Sequence, residues 1–156
     1  MSNVILTTVG TSLLINARRD GLVQDGEILE YLKQDPQKAS AETNSLSRIL
    51  QPGDEIVLLH SDTPEGARAA ELLEQYWEEQ KIPCVRVRIP GLAYEARGFV
   101  NHGLKNLVRT LAGEIRKARR RQFQAIINAT GGFKAEIAYA TALGLVYKVP
   151  VYYIHE

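Results

Sequence analysis

The sequence predicts a doubly wound α/β fold, a mainly parallel sheet in one domain over residues 1–156. Three observations predict it. Short apolar runs alternate with segments of helical periodicity, the pattern of a parallel sheet covered by helices. The first run, NVILTTV, is rich in β-branched residues and uncharged, as a strand buried on both faces should be. Two of the strands end in glycine-containing turns, Gly10-Thr11-Ser12 and Thr130-Gly131-Gly132.

The first strand is expected over Asn3–Val9 and closes at Gly10. A polar region comes next, with helices near 27–33 and 41–50. Pro52-Gly53-Asp54 turns the chain into a second strand, Glu55–His60. Ser61-Asp62-Thr63-Pro64 carries strong helix-start signals: cap-type residues, then proline at the first helical position. Ala69, Leu72, Leu73 and Tyr76 follow at i, i+3, i+4, i+7. The third strand is read over 84–89, a loop over 90–102, and a long helix over 103–121 with Leu104, Leu107, Val108, Leu111 and Ile115 on one face. The fourth strand, 123–128, runs through Thr130-Gly131-Gly132 into a helix over 133–147, and Pro150 leads to a last strand over 151–155. Right-handed crossovers make 3-2-1-4-5 the simplest strand order. Strands 1 and 4 then flank the topological switch point, where open α/β sheets bind ligands. Both glycine turns end those two strands.

Composition limits the function classes. A chain of 156 residues, 45% apolar and 24% charged, can bury a real core. Its formal charge of +1 offers no global attraction to long nucleic acid. The lone cysteine, Cys84, excludes an internal disulfide and fits a reducing, cytoplasmic setting. No apolar run is long enough to span a membrane, no signal peptide is read, and His and Cys show no metal-ligand spacing. No metal and no cofactor are expected.

The turns carry the chemistry. NATGGFK at 128–134 joins a buried strand to a helix. Its glycines permit close approach of a ligand to the backbone, the helix N-terminus favours an anion, and Lys134 adds charge: a phosphate site. The alternative is a tight turn beside a solvated lysine. In the first turn, Thr11 and Ser12 offer hydroxyls for ribose or phosphate oxygens, or else cap the next helical segment. Asp62 after strand 2 and Arg97 in the loop after strand 3 are further candidates, against a helix cap and a solvated arginine. Arg97 and His102 match an R-x4-H ribonuclease pattern, which lacks its all-helical context here. The basic run at 116–121 is read as offsetting a helix dipole. The 133–147 helix is apolar around most of its circumference, so it must be covered on more than one side. A second subunit is the expected cover.

At ILTTVGTSLL (5–14), SAETNSL (40–46), LLHSDTPEG (58–66) and NATGGFKAEIAYATALGLVYKVPVYYIHE (128–156) the sequence resembles the CARF (CRISPR-associated Rossmann fold) family, and the resemblance covers essentially the whole chain. It implies a Rossmann-like homodimer that binds a cyclic oligoadenylate across its twofold axis, most commonly cyclic tetra-adenylate. The candidate ligand contacts are Gly10, Thr11, Ser12, Leu13, Asp62, Arg97, Asn128, Thr130, Gly131, Gly132, Phe133 and Lys134. Ring nucleases that resemble this chain use the serine and the lysine for metal-independent cleavage by a ribose 2′-OH, and those positions are Ser12 and Lys134. With no effector segment in the sequence, two expectations stand: a stand-alone ring nuclease, or the sensor domain of a larger effector such as a HEPN ribonuclease.

Overall fold

The computed structural model describes residues 1–93 and 102–155. Their elements run β1 (Asn3–Val9), α1 (Ser12–Arg19), α2 (Asp25–Gln34), α3 (Pro36–Ala39), α4 (Ala41–Ile49), β2 (Glu55–His60), α5 (Pro64–Glu79), β3 (Cys84–Arg88), α6 (Leu104–Arg120), β4 (Gln124–Asn128), α7 (Lys134–Tyr147) and β5 (Val151–Tyr152). The strands form one parallel sheet in the order β3-β2-β1-β4-β5, as the sequence predicts. β1 lies at the centre, with Ile5 opposite Ile56 on one side and Ile126 on the other.

Alternation along β1 divides the core in two. Ile5 and Val9 face one layer, with Leu13 of α1, Leu32 of α2, Leu46 of α4 and Leu73 of α5. Val4 and Leu6 face the other, with Leu107, Leu111 and Ile115 of α6 and Ala140 and Leu143 of α7. Right-handed crossovers require this arrangement. The chain moves outward from β1 to β3 with its helices on one face, then reverses through β4 to β5 with its helices on the other.

Four helices fill the β1–β2 connection where the sequence pattern predicts two. The additional helix at its start, α1, buries Leu13, Leu14 and Ala17 directly behind the first glycine turn. Two short caps organise the rest of that connection. Asp35 accepts the Lys38 N–H at 3.2 Å to start α3, and Ser40 accepts the Thr43 N–H at 3.0 Å to start α4. α5 begins as predicted, with the Thr63 hydroxyl accepting the Gly66 N–H at 3.0 Å and Pro64 in the first turn.

β5 is shorter than the 151–155 expected. β4 ends at Asn128 opposite Tyr152, so nothing remains for Tyr153 to pair with. The segment beyond instead folds over the second turn, where the Ile154 N–H donates to the Thr130 hydroxyl at 3.1 Å. The basic run at the end of α6 is engaged in the fold. Arg121 makes a bidentate pair with Glu55 at 2.8 and 2.9 Å, and Arg119 donates to the Tyr147 carbonyl. Among the described residues no helix is long and apolar enough to cross a membrane.

Candidate functional site

Because β1 and β4 are adjacent, with Thr7 opposite Asn128, their turns meet. A Cβ on Gly10 would lie 2.7 Å from the Gly132 nitrogen, so only glycine lets the two backbones come this close. Further bonds lock the second turn. The Thr8 hydroxyl donates to the Gly131 carbonyl at 2.6 Å, and the Thr130 hydroxyl donates to the Asn128 side-chain oxygen at 2.8 Å. Gly132 completes the turn with φ of +94°, a conformation that favours glycine.

Above the paired turns lies a cleft of about 400 Å³, a size that suits a small-molecule site. Gly10, Thr11 and Ser12 form one wall and Thr130, Gly131 and Gly132 the other. Residues 153–155 and Ile15 complete the rim, and Glu42 lies beneath. Another cleft, of about 370 Å³, sits at the opposite ends of the strands around Val4, Cys84 and Ala118, away from the switch point.

The predicted residues separate into three groups. Gly10, Thr11, Ser12, Thr130, Gly131 and Gly132 come together in the cleft. Lys134, the first residue of α7, is exposed just beyond Gly132 and forms no ion pair among the described residues, while Phe133 is half-buried at the cap of that helix. The others face elsewhere. Leu13 is wholly within the core. Asn128 is fully buried, its amide donating to Ser45 at 2.8 Å, so its side chain braces the turn from inside. Asp62 is held by Arg88 at 3.1 Å and by the Gly91 N–H at 3.1 Å, on the β3 side of the sheet. Arg97 lies outside the described residues.

Sequence reasoning misses two buried carboxyls. Glu42, on α4, is 1% exposed; its Oε1 accepts the Gly10 N–H at 2.7 Å and its Oε2 accepts the Ser12 hydroxyl at 3.3 Å. Burial pushes its pKa above the usual carboxylate range, opposed by the hydrogen bonds from Gly10 and Ser12. Glu136, on α7, is equally buried and accepts the Phe133 N–H through Oε2, while its Oε1 has no partner. Burial, with the charge of Glu42 adding, raises its pKa to about 8. Glu136 carries a readable signal, an acidic residue in the first turn of a predicted helix. For Glu42 the only signal is its place inside SAETNSL. Among the described residues no cluster of three or more His, Cys, Asp or Glu is arranged to hold a metal ion.

Comparison with known proteins gives one informative match. The model of a CRISPR-associated protein family, Cas_APE2256, matches residues 37–156, which include SAETNSL and the whole second turn. No curated protein matches the sequence. A crystal structure of Acinetobacter baumannii MurG aligns at 14% identity over 96% of this chain, with a TM-score of 0.38, too slight a likeness to carry an argument. This chain spans 34% of that one. With the family model covering most of its length, the chain belongs to the CRISPR-associated protein family Cas_APE2256.

Proposed function

We propose that the chain is a ring nuclease of a type III CRISPR response. As a homodimer it binds a cyclic oligoadenylate, with cyclic tetra-adenylate the expected ring, and cleaves it without metal to linear di-adenylate. The observation that carries this reading is the meeting of two glycine turns at the switch point, one ending in a hydroxyl and the other opening into a helix with an exposed lysine. Membership of a CRISPR-associated family and the resemblance to CARF proteins suggest the ligand class.

In the proposed reaction a ribose 2′-oxygen attacks the adjacent phosphorus and the 5′-oxygen leaves. The 2′-hydroxyl gives up its proton and the departing 5′-oxygen gains one, leaving a 2′,3′-cyclic phosphate end. Ser12 positions the reacting nucleotide, and Lys134 with the N-terminal amides of α7 stabilises charge on the phosphoryl oxygens. Dimerisation places two such half-sites face to face. The outer face of α7 supports it: Leu145 is 79% exposed and Val146 76%, beside an apolar groove shared with α6 at Val108 and Leu143. Such a face calls for a partner surface, and isologous twofold dimers are the commonest solution.

The test is incubation of the purified protein with labelled cyclic tetra-adenylate in EDTA, with chromatography of the products. Linear products from the wild type, absent from both Ser12→Ala and Lys134→Ala, support the reading. An intact ring that co-elutes with the protein replaces it with a non-catalytic sensor.

A further inference from the structure

The SAETNSL segment gains a physical role once its side chains are placed. Ser40 caps α4, Ser45 receives the Asn128 amide, and Glu42 lies under the floor of the cleft. The hydrogen bonds around Ser12 then fix what that residue can offer a ligand. Its Oγ accepts the Ala41 N–H at 3.0 Å and donates its hydrogen to Glu42 Oε2 at 3.3 Å. A hydroxyl has one hydrogen and two lone pairs. With the hydrogen turned to Glu42 and one lone pair engaged by Ala41, a single lone pair is left for the cleft. Such a group pairs with a donor. In an oligonucleotide backbone the phosphate oxygens accept, and the donor is the ribose 2′-hydroxyl.

We infer that Glu42 is a positioning residue, whose carboxylate takes the Ser12 hydrogen and so makes Ser12 Oγ an acceptor for the attacking 2′-hydroxyl. This rests on the ring-nuclease reading and assigns Ser12 to the nucleophile rather than to the phosphate. A protonated Glu42 reverses the polarity. Its own hydrogen can then point to Ser12 Oγ, the serine hydrogen swings into the cleft, and the residue meets an acceptor instead. Glutamine at 42 mimics that reversed state, because its amide N–H can donate to Ser12 while its oxygen still accepts from Gly10.

The charge state of Glu42 is therefore part of the arrangement. Glu136 of α7 lies near enough for the charge of Glu42 to act on it, and His155 of the C-terminal segment lines the cleft with Glu42. The contacts from α1 and the first turn are a hydroxyl and a backbone N–H, and Glu42 forms no ion pair among the described residues. Two adjacent buried carboxyls resist ionising together. Glu42 has a donor on each oxygen, whereas Glu136 has one bare oxygen, so Glu42 is the member of the pair equipped to carry the charge.

The experiment is single-turnover cleavage of cyclic tetra-adenylate in EDTA across about pH 5 to 9, with ring affinity and thermal unfolding measured in parallel. The wild-type rate is expected to rise with pH as Glu42 ionises. Glu42→Gln should bind the ring within a few-fold of wild type, cleave it about 10²-fold more slowly, and lose the rise. If Glu42→Gln does not fold, the wild-type profile decides the matter. Wild-type rate and profile in Glu42→Gln, or a wild-type rate that does not rise with pH, would overturn the inference and leave the ring-nuclease reading standing. A wild type that binds without cleaving would overturn both.

Discussion

Replacing Gly131 by alanine tests the packing beneath the cleft, and the structure gives the sign and the size of the effect. A Cβ at Gly131 would lie 2.2 Å from Glu42 Oε1 and 2.9 Å from the Thr8 carbonyl. The carbonyl belongs to the central strand and cannot retreat. Glu42 must therefore swing away, and it is held by the Gly10 N–H at 2.7 Å. Loss of a hydrogen bond to a buried charged group costs about 1.5–3 kcal/mol, and overpacking adds about 1–3 kcal/mol. A central value of ~4 kcal/mol for the two together lowers Tm by roughly 8–16 °C in a domain of this size. Gly113→Ala is the control. It sits in the middle of α6 with open space where its Cβ would be, so alanine should stabilise by about 0.5–1 kcal/mol. Calorimetric unfolding of the two variants reads both signs. If Gly131→Ala melts within about 2 °C of wild type, the turn is not packed on Glu42 as described.

Three further outcomes are expected of the same structure. Lys134→Ala should slow cleavage by about 10²–10³-fold, and because the side chain is exposed, stability should stay within about 0.5 kcal/mol; an unchanged rate in single turnover removes Lys134 from the reaction. Glu136 has a folded pKa of about 8 against the ordinary 4.5. Between those values the unfolded chain releases the proton and the folded chain keeps it. The stabilisation is full below the ordinary value and is lost as pH rises towards the folded one, at up to about 1.4 kcal/mol per pH unit. Urea midpoints across pH should show that decline in the wild type and a shallower one in Glu136→Gln, and equal slopes would contradict it. Leu145→Glu should convert a dimer to a monomer in light scattering with little change in the unfolding of each chain, whereas a persistent dimer would move the interface away from α7.

The fold is legible in the sequence because each strand is a short apolar run bounded by turn chemistry, and crossover handedness leaves few orders for five such strands. The positions of the two turns come with that order. What stays hidden depends on contacts between distant segments. Leu13 and Asn128 read as cleft residues because they adjoin the turns, yet one strand or helix step further each side chain points into the core. Asp62 lies at a strand end as expected, but its partners Arg88 and Gly91 draw it to the β3 side. α1 escapes a reading that takes Gly10-Thr11-Ser12 for a loop wall, although Leu13, Leu14 and Ala17 mark a buried helix face. Glu42 is the hardest to find: 32 residues separate it from Gly10, and only the packing of α4 against the end of β1 brings them together.

The measurement closest to the central claim is a calorimetric titration of Ser12→Ala, chosen so that binding is seen without turnover, with cyclic tetra-adenylate and cyclic hexa-adenylate in EDTA. The account predicts one ring bound per two chains, with the affinity sharply reduced when Lys134→Ala is added. Absence of binding by either ring, to this variant and to the wild type alike, would contradict it.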